Sequence, residues 1–208
     1  EAQVQAVLKT CQRLNVPVVA RGAGTGLSGG AMPHAQGVLL GLAKFNRIKH
    51  IDQEAAIAVV EPGVRNLAVS EAVSPFGLYY APDPSSQIAC SIGGNVAENS
   101  GGVHCLKYGL TVHNVLKVRM VSMDGKIIEL GSLAPDSAGP ELLSVFVGSE
   151  GMLGVVTEVT LRLTPKPALA RVVMASFDDV EKAITENTKA IIGVEVFGNP
   201  AGIFLLTK

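Results

Sequence analysis

The chain has 208 residues, enough for one ordinary domain or two small lobes, and 48% of them are apolar, so it can bury a sizeable core. Lysine and arginine (17) nearly balance aspartate and glutamate (18). This balance lacks the clustered basic charge that binds nucleic acid or an anionic membrane, and no apolar run approaches the roughly 18 residues that span a bilayer. We therefore exclude a nucleic-acid-binding protein and expect no transmembrane segment.

Cysteine and histidine usage predicts no metal site. The three cysteines are an odd set with no paired framework, which is typical of reduced thiols in a cytoplasmic protein. Metal-ligand spacing is absent from the set of Cys11, Cys90, Cys105, His34, His50, His104 and His113. We assign no catalytic residue. No signal-peptide pattern follows Glu1, and we expect that sequence is missing upstream.

The first third of the chain combines one helix with short strands. Apolar positions at helical spacing predict a helix over residues 4–15, which Pro17 ends. Short apolar runs predict strands over residues 16–20, 38–42 and 57–60, and a Glu-Pro-Gly turn closes the last of them.

The middle of the chain predicts a helix and then a hairpin. The helix covers residues 66–73 and stops before Pro75. Strand-like runs over residues 115–123 and 126–130 flank Asp124-Gly125. That dipeptide is a strong hairpin signal, and we expect both turn residues to adopt positive φ.

A further helix and the clearest strand follow. Pro140 fits the first turn of a helix that contains Leu142, Leu143 and Phe146. Residues 155–163 alternate strictly, with the odd-numbered side chains on one face of a strand. Because strands and helices do not alternate regularly along the chain, the pattern predicts an α+β fold and not a doubly wound sheet.

Two prolines in residues 164–167 predict a boundary, since a central strand cannot continue through them. Beyond it we expect a strand over residues 171–177 and a helix that begins near Asp178. From about Thr185 onward the pattern fades, and too few residues remain to form a domain.

The first of three glycine clusters, residues 22–30, directly follows a predicted strand. Glycines let consecutive peptide N–H groups converge on an anion such as a diphosphate. Gly24-x-Gly26-x-x-Gly29 also matches the Rossmann fingerprint, and Gly26-x-Ser28-x-Gly30 matches a nucleophile elbow. Both motifs need a helix immediately afterwards, and the sequence up to Pro33 does not favour one. An ordinary flexible loop stays open as the alternative.

The second and third clusters are also next to predicted structure. Residues 82–102 carry two prolines, Gly93-Gly94 and several small polar side chains, which can bond a phosphate, a ribityl chain or a ring carbonyl. A short helical turn after Gly93-Gly94 would aim N–H groups at a phosphate. Residues 148–154 lead into the clearest strand. Each cluster alone is compatible with a plain loop.

Together the clusters resemble the FAD-binding domain of the p-cresol methylhydroxylase (PCMH) and vanillyl-alcohol oxidase superfamily. Residues 82–109 and 148–158 are similar over their whole length to the family of FAD-linked glycolate oxidase subunits and D-lactate dehydrogenases. Long ungapped stretches of this kind are more specific than a single glycine motif. The resemblance covers about residues 1–184.

The resemblance implies an α+β fold, a two-lobed PCMH-type FAD-binding domain with FAD between the lobes. The domain would occupy residues 1–164, with lobe one at about 1–62 and lobe two at about 63–164. Residues 165–208 would be the start or remnant of a C-terminal substrate (cap) domain, which is incomplete.

The resemblance also implies the cofactor contacts. The first cluster would wrap the pyrophosphate, the second would line the flavin, and the third would lie toward the adenosine. The implied residues are Arg21, Gly22, Ala23, Gly24, Thr25, Gly26, Leu27, Ser28, Gly29, Gly30, Pro82, Asp83, Ser86, Ile92, Gly93, Gly94, Ala97, Asn99, Gly151, Val155 and Val156. No histidine stands in the first cluster for covalent attachment, so we expect non-covalent FAD.

The implied activity is oxidation of a small 2-hydroxyacid, glycolate or D-lactate, to the 2-oxoacid by hydride transfer to flavin N5. D-2-hydroxyglutarate as substrate, or a non-catalytic flavin-binding or assembly module, stay open as alternatives. In the family the substrate clamp and catalytic histidines belong to the C-terminal domain, so we expect this chain alone to be inactive. The implied partners are the flavin and iron–sulfur subunits of a glycolate oxidase complex, which would hold the protein at the inner membrane.

Overall fold

The computed structural model describes residues 1–134, 139–168 and 184–186. The chain divides into two compact units, Glu1–Lys166 and Pro167–Lys208. Nearly all described residues belong to the first unit. The predicted strand over residues 171–177, the helix near Asp178 and all of the closing stretch after Glu186 lie outside the described residues.

The first unit mixes short helices with antiparallel strands, as the predicted α+β fold requires. The helices are α1 (Ala2–Arg13), α2 (Asn66–Val73), α3 (Ile92–Glu98), α4 (Cys105–Tyr108), α5 (Thr111–Asn114) and α6 (Leu142–Phe146), with a 3₁₀ turn at Ser74–Phe76. The strands are β1 (Val18–Arg21), β2 (Val38–Gly41), β3 (Ile48–Asp52), β4 (Ile57–Val60), β5 (Leu78–Tyr79), β6 (Val115–Val121), β7 (Ile127–Gly131), β8 (Val155–Arg162) and β9 (Thr164–Pro165).

The main sheet has five strands in the order β3-β4-β8-β6-β7, and every neighbouring pair is antiparallel. Strands β1 and β2 form a separate parallel pair, and β5 pairs with β9. The expectation that the sheet is not doubly wound is therefore confirmed.

The predicted division into lobes at residue 62 does not follow the sheets. Strands β3 and β4 precede that residue, yet β4 pairs along its whole length with β8, from Ile57 opposite Arg162 to Val60 opposite Val159. The main sheet therefore draws its strands from both sides of the predicted boundary. The sequence analysis did not predict β3. This strand lies at the edge of the sheet and is half-exposed, and Lys49 and His50 interrupt its apolar pattern.

Strand β8 anchors the core because it lies at the centre of the sheet and is buried along almost its whole length. Val159 and Leu161 join the larger core cluster, to which α2, α3 and α6 contribute residues such as Val69, Ile92 and Phe146. A second cluster joins α1 to the sheet. It contains Val4 and Leu8 from α1, Leu42 from the segment after β2, Val121 from β6 and Val155 from β8. Helices thus cover the strand that the strict alternation predicted.

The predicted hairpin is confirmed, but its turn differs from the expected type. Val121 pairs with Ile127, and Gly125 N–H donates to Ser122 O at 2.8 Å. Gly125 alone adopts positive φ (+74°), while Asp124 does not. The connection is thus a longer turn with a left-handed glycine before the second strand, and not the two-residue form.

Helix ends also differ from the predictions by small, explicable amounts. Helix α1 ends at Arg13 because Asn15 adopts φ +53° and Val16 N–H closes back on Cys11 O, a left-handed C-terminal cap. Helix α6 begins at Leu142 with Glu141 as its N-cap, so Pro140 precedes the helix and does not lie in its first turn.

Candidate functional site

One cleft brings the three glycine clusters together. Its volume is about 470 Å³, within the usual range for ligand sites. Its lining includes 15 of the predicted cofactor residues. The other lining residues are Ala20, Ala31, Leu42, Pro62, Ser85, Cys90, Ser91, Asn95, Glu98, Ser100, Glu150 and Gly154. Three segments that are far apart in sequence therefore share one surface.

The first cluster is a loop that leaves the end of β1 and runs along the cleft. Its residues from 23 to 30 are exposed, and their backbone N–H groups donate to no acceptor in the described part of the chain. Gly24 and Gly29 adopt φ of +71° and +82°, a conformation that side chains disfavour. The loop therefore presents a row of unused peptide donors, which is the arrangement that binds an anion.

Part of the second cluster, Ile92–Glu98, folds into helix α3, which the sequence predicted only as a short turn. Ser91 is the N-cap, and its Oγ accepts from Gly94 N–H at 3.4 Å. A Cβ on Gly93 would lie 2.6 Å from Pro62 Cβ, so glycine is required where the helix packs against the turn after β4. Close packing and the cap thus outweigh the poor helix propensity of two glycines.

The expectation that Gly93-Gly94 aims free N–H groups at a phosphate is wrong for Gly93. Its N–H donates to Pro62 O at 2.7 Å, and Ile92 N–H donates to Val64 O at 2.8 Å. Only Gly94 has a long, weak bond to Ser91 Oγ. The first loop therefore supplies unused main-chain donors, whereas the N–H groups of Ile92 and Gly93 are occupied.

The third cluster is joined to α3 by the helix carbonyls. Gly148 N–H donates to Val96 O and Glu150 N–H donates to Ala97 O, both at 2.8 Å. Glu150 holds φ +53° at the point where the chain turns toward β8. Helix α3 thus fixes the position of the third loop.

Helix α3 also contacts the first loop at two points. A Cβ on Gly22 would lie 2.3 Å from Ser91 Oγ, so the start of the loop touches the helix cap. Further along, Ser28 Oγ donates to Glu98 Oε2 at 2.7 Å. The helix therefore lies between the other two clusters and holds both.

The structure places 15 of the 21 predicted cofactor residues in the cleft lining. They are Gly22, Ala23, Gly24, Thr25, Gly26, Leu27, Ser28, Gly30, Ser86, Gly93, Gly94, Ala97, Gly151, Val155 and Val156. The other six are Arg21, Gly29, Pro82, Asp83, Ile92 and Asn99, and each has a different role or position.

Four of these six residues are used by the fold. Ile92 is fully buried in the core, and Asn99 Oδ1 accepts from Val112 N–H at 3.0 Å. Pro82 O accepts from the buried Asn66 Nδ2 at 3.0 Å. Asp83 Oδ2 lies 2.6 Å from Nδ1 of the exposed His104. These contacts do not support them as cofactor residues.

Arg21, the last residue of β1, and Gly29 of the first loop lie outside the lining. The Arg21 guanidinium is close enough that a Cβ on Gly24 would be 2.8 Å from its Nη2. The side chain therefore packs against the loop at Gly24. Its charge can still act on an anion there, since the residue is exposed.

A tyrosine pair lies beside the Asp83–His104 contact. The rings of Tyr79 and Tyr108 meet edge to face at 6.1 Å between centroids, and Lys107 Nζ lies 4.9 Å from the centre of the Tyr108 ring. Burial, followed by the hydrogen bond with Tyr108, raises the pKa of Tyr79 to about 12. Tyr79 therefore keeps its proton to a higher pH than an ordinary tyrosine does.

The residues that line the cleft are mostly small, and no lysine, arginine or histidine is among those that the structure describes there. Its ionisable groups include the carboxylates of Glu98 and Glu150. It also contains a polar group without a partner, because the buried Asn95 Nδ2 makes no hydrogen bond. Sequence reasoning missed Asn95 and Glu98, and their spacing of three residues on α3 would have placed both on one helix face.

Comparison with known proteins identifies the chain. The family model described as "FAD binding domain" matches residues 1–131, more than half of the sequence. The chain belongs to this FAD-binding domain family. The unused main-chain donors and the unpaired amide of Asn95 fit such a cofactor, because FAD offers phosphate and carbonyl oxygens as acceptors.

Curated relatives that match most of this chain include glycolate oxidase subunits and a D-lactate dehydrogenase. The glycolate oxidase subunit GlcD of Escherichia coli K12 is 67% identical over 181 residues, 87% of this chain and 36% of that protein. GlcD of Bacillus subtilis is 43% identical over 87% of this chain and 39% of its own length. A D-lactate dehydrogenase of Anaerostipes hadrus is 37% identical over 88% and 38%. The chain thus spans less than half the length of these relatives.

A solved structure supports the same fold. Alkyldihydroxyacetonephosphate synthase superposes with a TM-score of 0.71 over 81% of this chain and 33% of its own, at 23% identity. The PCMH-type fold of the FAD-binding domain is therefore confirmed. Among the described residues, no helix has the length and apolarity to cross a membrane.

Proposed function

We propose that FAD binds non-covalently in the cleft, with its diphosphate against the backbone N–H groups of residues 23–30. The observation that supports this most is the set of unused donors on an exposed glycine loop, held against α3 by Ser28 and Glu98. Peptide donors bind a diphosphate without needing a cationic side chain. Ser86 and Gly94 on one side, and Gly151 and Val156 on the other, would then flank the rest of the cofactor.

The chain would act as the flavin domain of a 2-hydroxyacid oxidoreductase. FAD, when bound, supplies the acceptor for the hydride that leaves the α-carbon of the substrate. The residues of this chain bind and orient the cofactor: the glycine loop holds the phosphates, and α3 fixes the distance between the first and third loops. Their effect is positional, which is a large part of catalysis in cofactor enzymes.

Glycolate or D-lactate is the proposed substrate, because the relatives named above act as glycolate oxidase subunits or D-lactate dehydrogenases. D-2-hydroxyglutarate is the alternative acid for the same chemistry. Oxidation also needs a cation for the substrate carboxylate and a base for the hydroxyl proton. No lysine, arginine or histidine lines the cleft among the described residues. We therefore propose that this chain alone binds FAD without turnover.

Partner chains follow from the same proposal. GlcD is named as a subunit of glycolate oxidase, and we extend that arrangement to this protein. Flavin and iron–sulfur subunits would pass the electrons onward, with the assembly in the cytoplasm against the inner membrane.

An FAD titration tests the binding proposal. Purified chain is titrated with FAD while the flavin fluorescence and absorbance are recorded. Gly26→Val places a branched side chain on the loop near Glu98, and we expect this variant to bind FAD at least 10-fold more weakly than the unmodified chain. The matched control is Gly41→Val, because a Cβ on Gly41 meets nothing within 4 Å. Absence of flavin uptake by the unmodified chain, or equal affinity of both variants, would contradict the proposal.

Anaerobic mixing with substrate tests the separation of binding from turnover. The FAD-loaded chain is mixed with glycolate or D-lactate, and the flavin absorbance is followed. We expect the absorbance to persist, while dithionite bleaches the same sample. Rapid bleaching by either acid would show that the chain carries its own substrate clamp and base.

A further inference from the structure

Three asparagines are buried in the described part of the chain, and one of them differs from the other two. Asn66 Nδ2 donates to Pro82 O at 3.0 Å, and Asn114 Nδ2 donates to Tyr108 O and Leu110 O, both at 2.9 Å. Asn95 is 2% exposed, and its Nδ2 has no partner. Buried amides are almost always hydrogen-bonded in native proteins, so this exception needs a cause.

Asn95 is held firmly by its backbone. Its N–H donates to Ser91 O at 2.9 Å, and its carbonyl accepts from Ser100 N–H at 3.0 Å and from the N–H of the C-cap Asn99. The side chain therefore starts from a fixed point in the first turn of α3. An apolar residue at this position would remove the unpaired donor and favour the helix more than asparagine does.

The position of Asn95 indicates what its amide is for. The residue lines the cleft, where α3 meets the first loop at Gly22 and Ser91. Nδ2 itself has almost no accessible surface. We propose that the Asn95 amide turns toward the cleft when FAD binds and that its Nδ2 then donates a hydrogen bond to an acceptor oxygen of the cofactor, so that asparagine is kept for cofactor affinity at a cost to the stability of the apoprotein. This inference rests on the proposed binding of FAD in the cleft.

FAD offers two kinds of acceptor to this amide, and they predict different results. A diphosphate oxygen is charged, and loss of its bond weakens binding about 10-fold or more. A flavin carbonyl is neutral, and loss of its bond weakens binding about 2-fold to 10-fold. In the first case ADP loses affinity together with FAD; in the second case FMN does so and ADP does not.

The experiment combines affinity with apoprotein stability in Asn95→Leu, a variant of similar size. FAD, ADP and FMN are titrated calorimetrically, and the apoprotein is melted in the absence of any ligand. We expect weaker FAD binding together with an unchanged or higher melting temperature. A purely structural asparagine would give the reverse, a lower melting temperature with FAD affinity preserved in the folded fraction.

Two matched variants give the comparison. Asn114→Leu removes an amide whose donor is used twice, and we expect a lower melting temperature. Tyr80→Phe removes a second buried polar group, the Tyr80 hydroxyl, and Tyr80 does not line the cleft. We expect this variant to keep its FAD affinity.

The outcomes separate this inference from the proposed function. If the unmodified chain binds FAD and Asn95→Leu binds it equally well, the role of Asn95 is overturned and the function stands. If the apoprotein of Asn95→Leu loses stability as Asn114→Leu does, the amide has a structural partner and the inference is again overturned. If the unmodified chain takes up no FAD, both the proposed function and the proposed role of Asn95 are overturned.

Discussion

Ser28 and Glu98 join the first glycine loop to helix α3, because Ser28 Oγ donates to Glu98 Oε2 at 2.7 Å across 70 positions of sequence. Both residues line the cleft. The Glu98 carboxylate is therefore hydrogen-bonded to a side chain of the loop. A loop with many glycines loses much conformational entropy on ordering, and a single side-chain bond at its far end reduces that loss when a ligand binds.

Ser28→Ala is expected to weaken FAD binding while leaving the fold almost unchanged. The bond is exposed, so its removal should cost about 0.5–1.5 kcal/mol, which corresponds to roughly a 2-fold to 10-fold higher Kd. Calorimetric FAD titration measures the change. Ser144→Ala is the control, since Ser144 is exposed on α6 and does not line the cleft. Equal Kd values for the two variants would show that the Ser28–Glu98 bond does not order the loop for FAD.

Adjacent glycines at the start of α3 give a second, paired prediction. A Cβ on Gly93 would lie 2.6 Å from Pro62 Cβ and 3.1 Å from Pro62 O, whereas one on Gly94 would meet only Ser91 Oγ at 3.3 Å. We expect Gly93→Ala to lower the free energy of unfolding by about 1–3 kcal/mol through overpacking. Gly94→Ala should be neutral or stabilising by up to about 1 kcal/mol, because alanine favours a helix. Urea denaturation of the apoproteins distinguishes them, and an equal loss in both would contradict this account of Pro62.

The hairpin turn gives a third prediction. Gly125 adopts φ +74°, and a Cβ there would meet only the flexible side chain of Lys9. The cost of Gly125→Ala should therefore come from backbone strain, about 1–2 kcal/mol. Gly125→Asn should cost less, since asparagine tolerates this conformation better. Thermal unfolding of the two variants measures the difference, and a larger loss for asparagine would indicate a packing effect instead.

Much of the fold could be predicted because local chemistry determined it. Asp124-Gly125 between two apolar runs specified the β6–β7 hairpin, and the alternation of residues 155–163 specified β8. Strand β3 was missed because an edge strand buries only part of its side chains, so Lys49 and His50 are tolerated there. The pairing of β4 with β8 crosses the lobe boundary predicted at residue 62, and it is a long-range contact that no local pattern reveals.

The site was predictable at the level of segments and less so at the level of side chains. The glycine clusters indicated the segments in which the backbone comes close to a ligand or to a neighbouring segment, and all three clusters line the cleft. Asp83 was expected to face the cofactor, but a polar residue in a loop has several possible partners and it contacts His104. Asn95 was missed because nothing in the sequence distinguishes an unpaired buried amide from the paired one of Asn114.

A final prediction concerns pH and the buried carboxylate that follows β4. Glu61 is only 4% exposed, and its carboxylate accepts from Arg47 Nη2 at 2.8 Å and from Arg47 N–H at 2.9 Å. The hydrogen bond from the Arg47 side chain is the main reason that the pKa of Glu61 lies below its ordinary value. The folded state therefore binds the Glu61 proton more weakly than the unfolded state does.

The sign of the effect follows from this difference. Glu61 contributes stability that is fully present above the ordinary glutamate pKa, about 4.3, and is lost as the pH falls through the lowered value in the folded state. Arg47→Met raises the Glu61 pKa, so the variant should be less stable than the unmodified chain at pH 7, and the gap should narrow as the pH falls below about 4. Urea denaturation across pH 3 to 7 measures it.

Lys49→Met is the matched control for Arg47→Met. Lys49 pairs with Glu158 on the same sheet, but both side chains are partly exposed, at 43% and 26%. Exposed pairs of this kind contribute little, and Lys49 has the smallest effect among the groups that lower the Glu61 pKa. We therefore expect a much smaller loss of stability, with the same direction of pH dependence. Because Arg47 also donates its backbone N–H to Glu61, a donor that Arg47→Met retains, the carboxylate stays partly satisfied and the variant should still fold. A gap between Arg47→Met and the unmodified chain that stayed constant from pH 7 to pH 3 would mean that Arg47 acts through packing and not through the charge of Glu61.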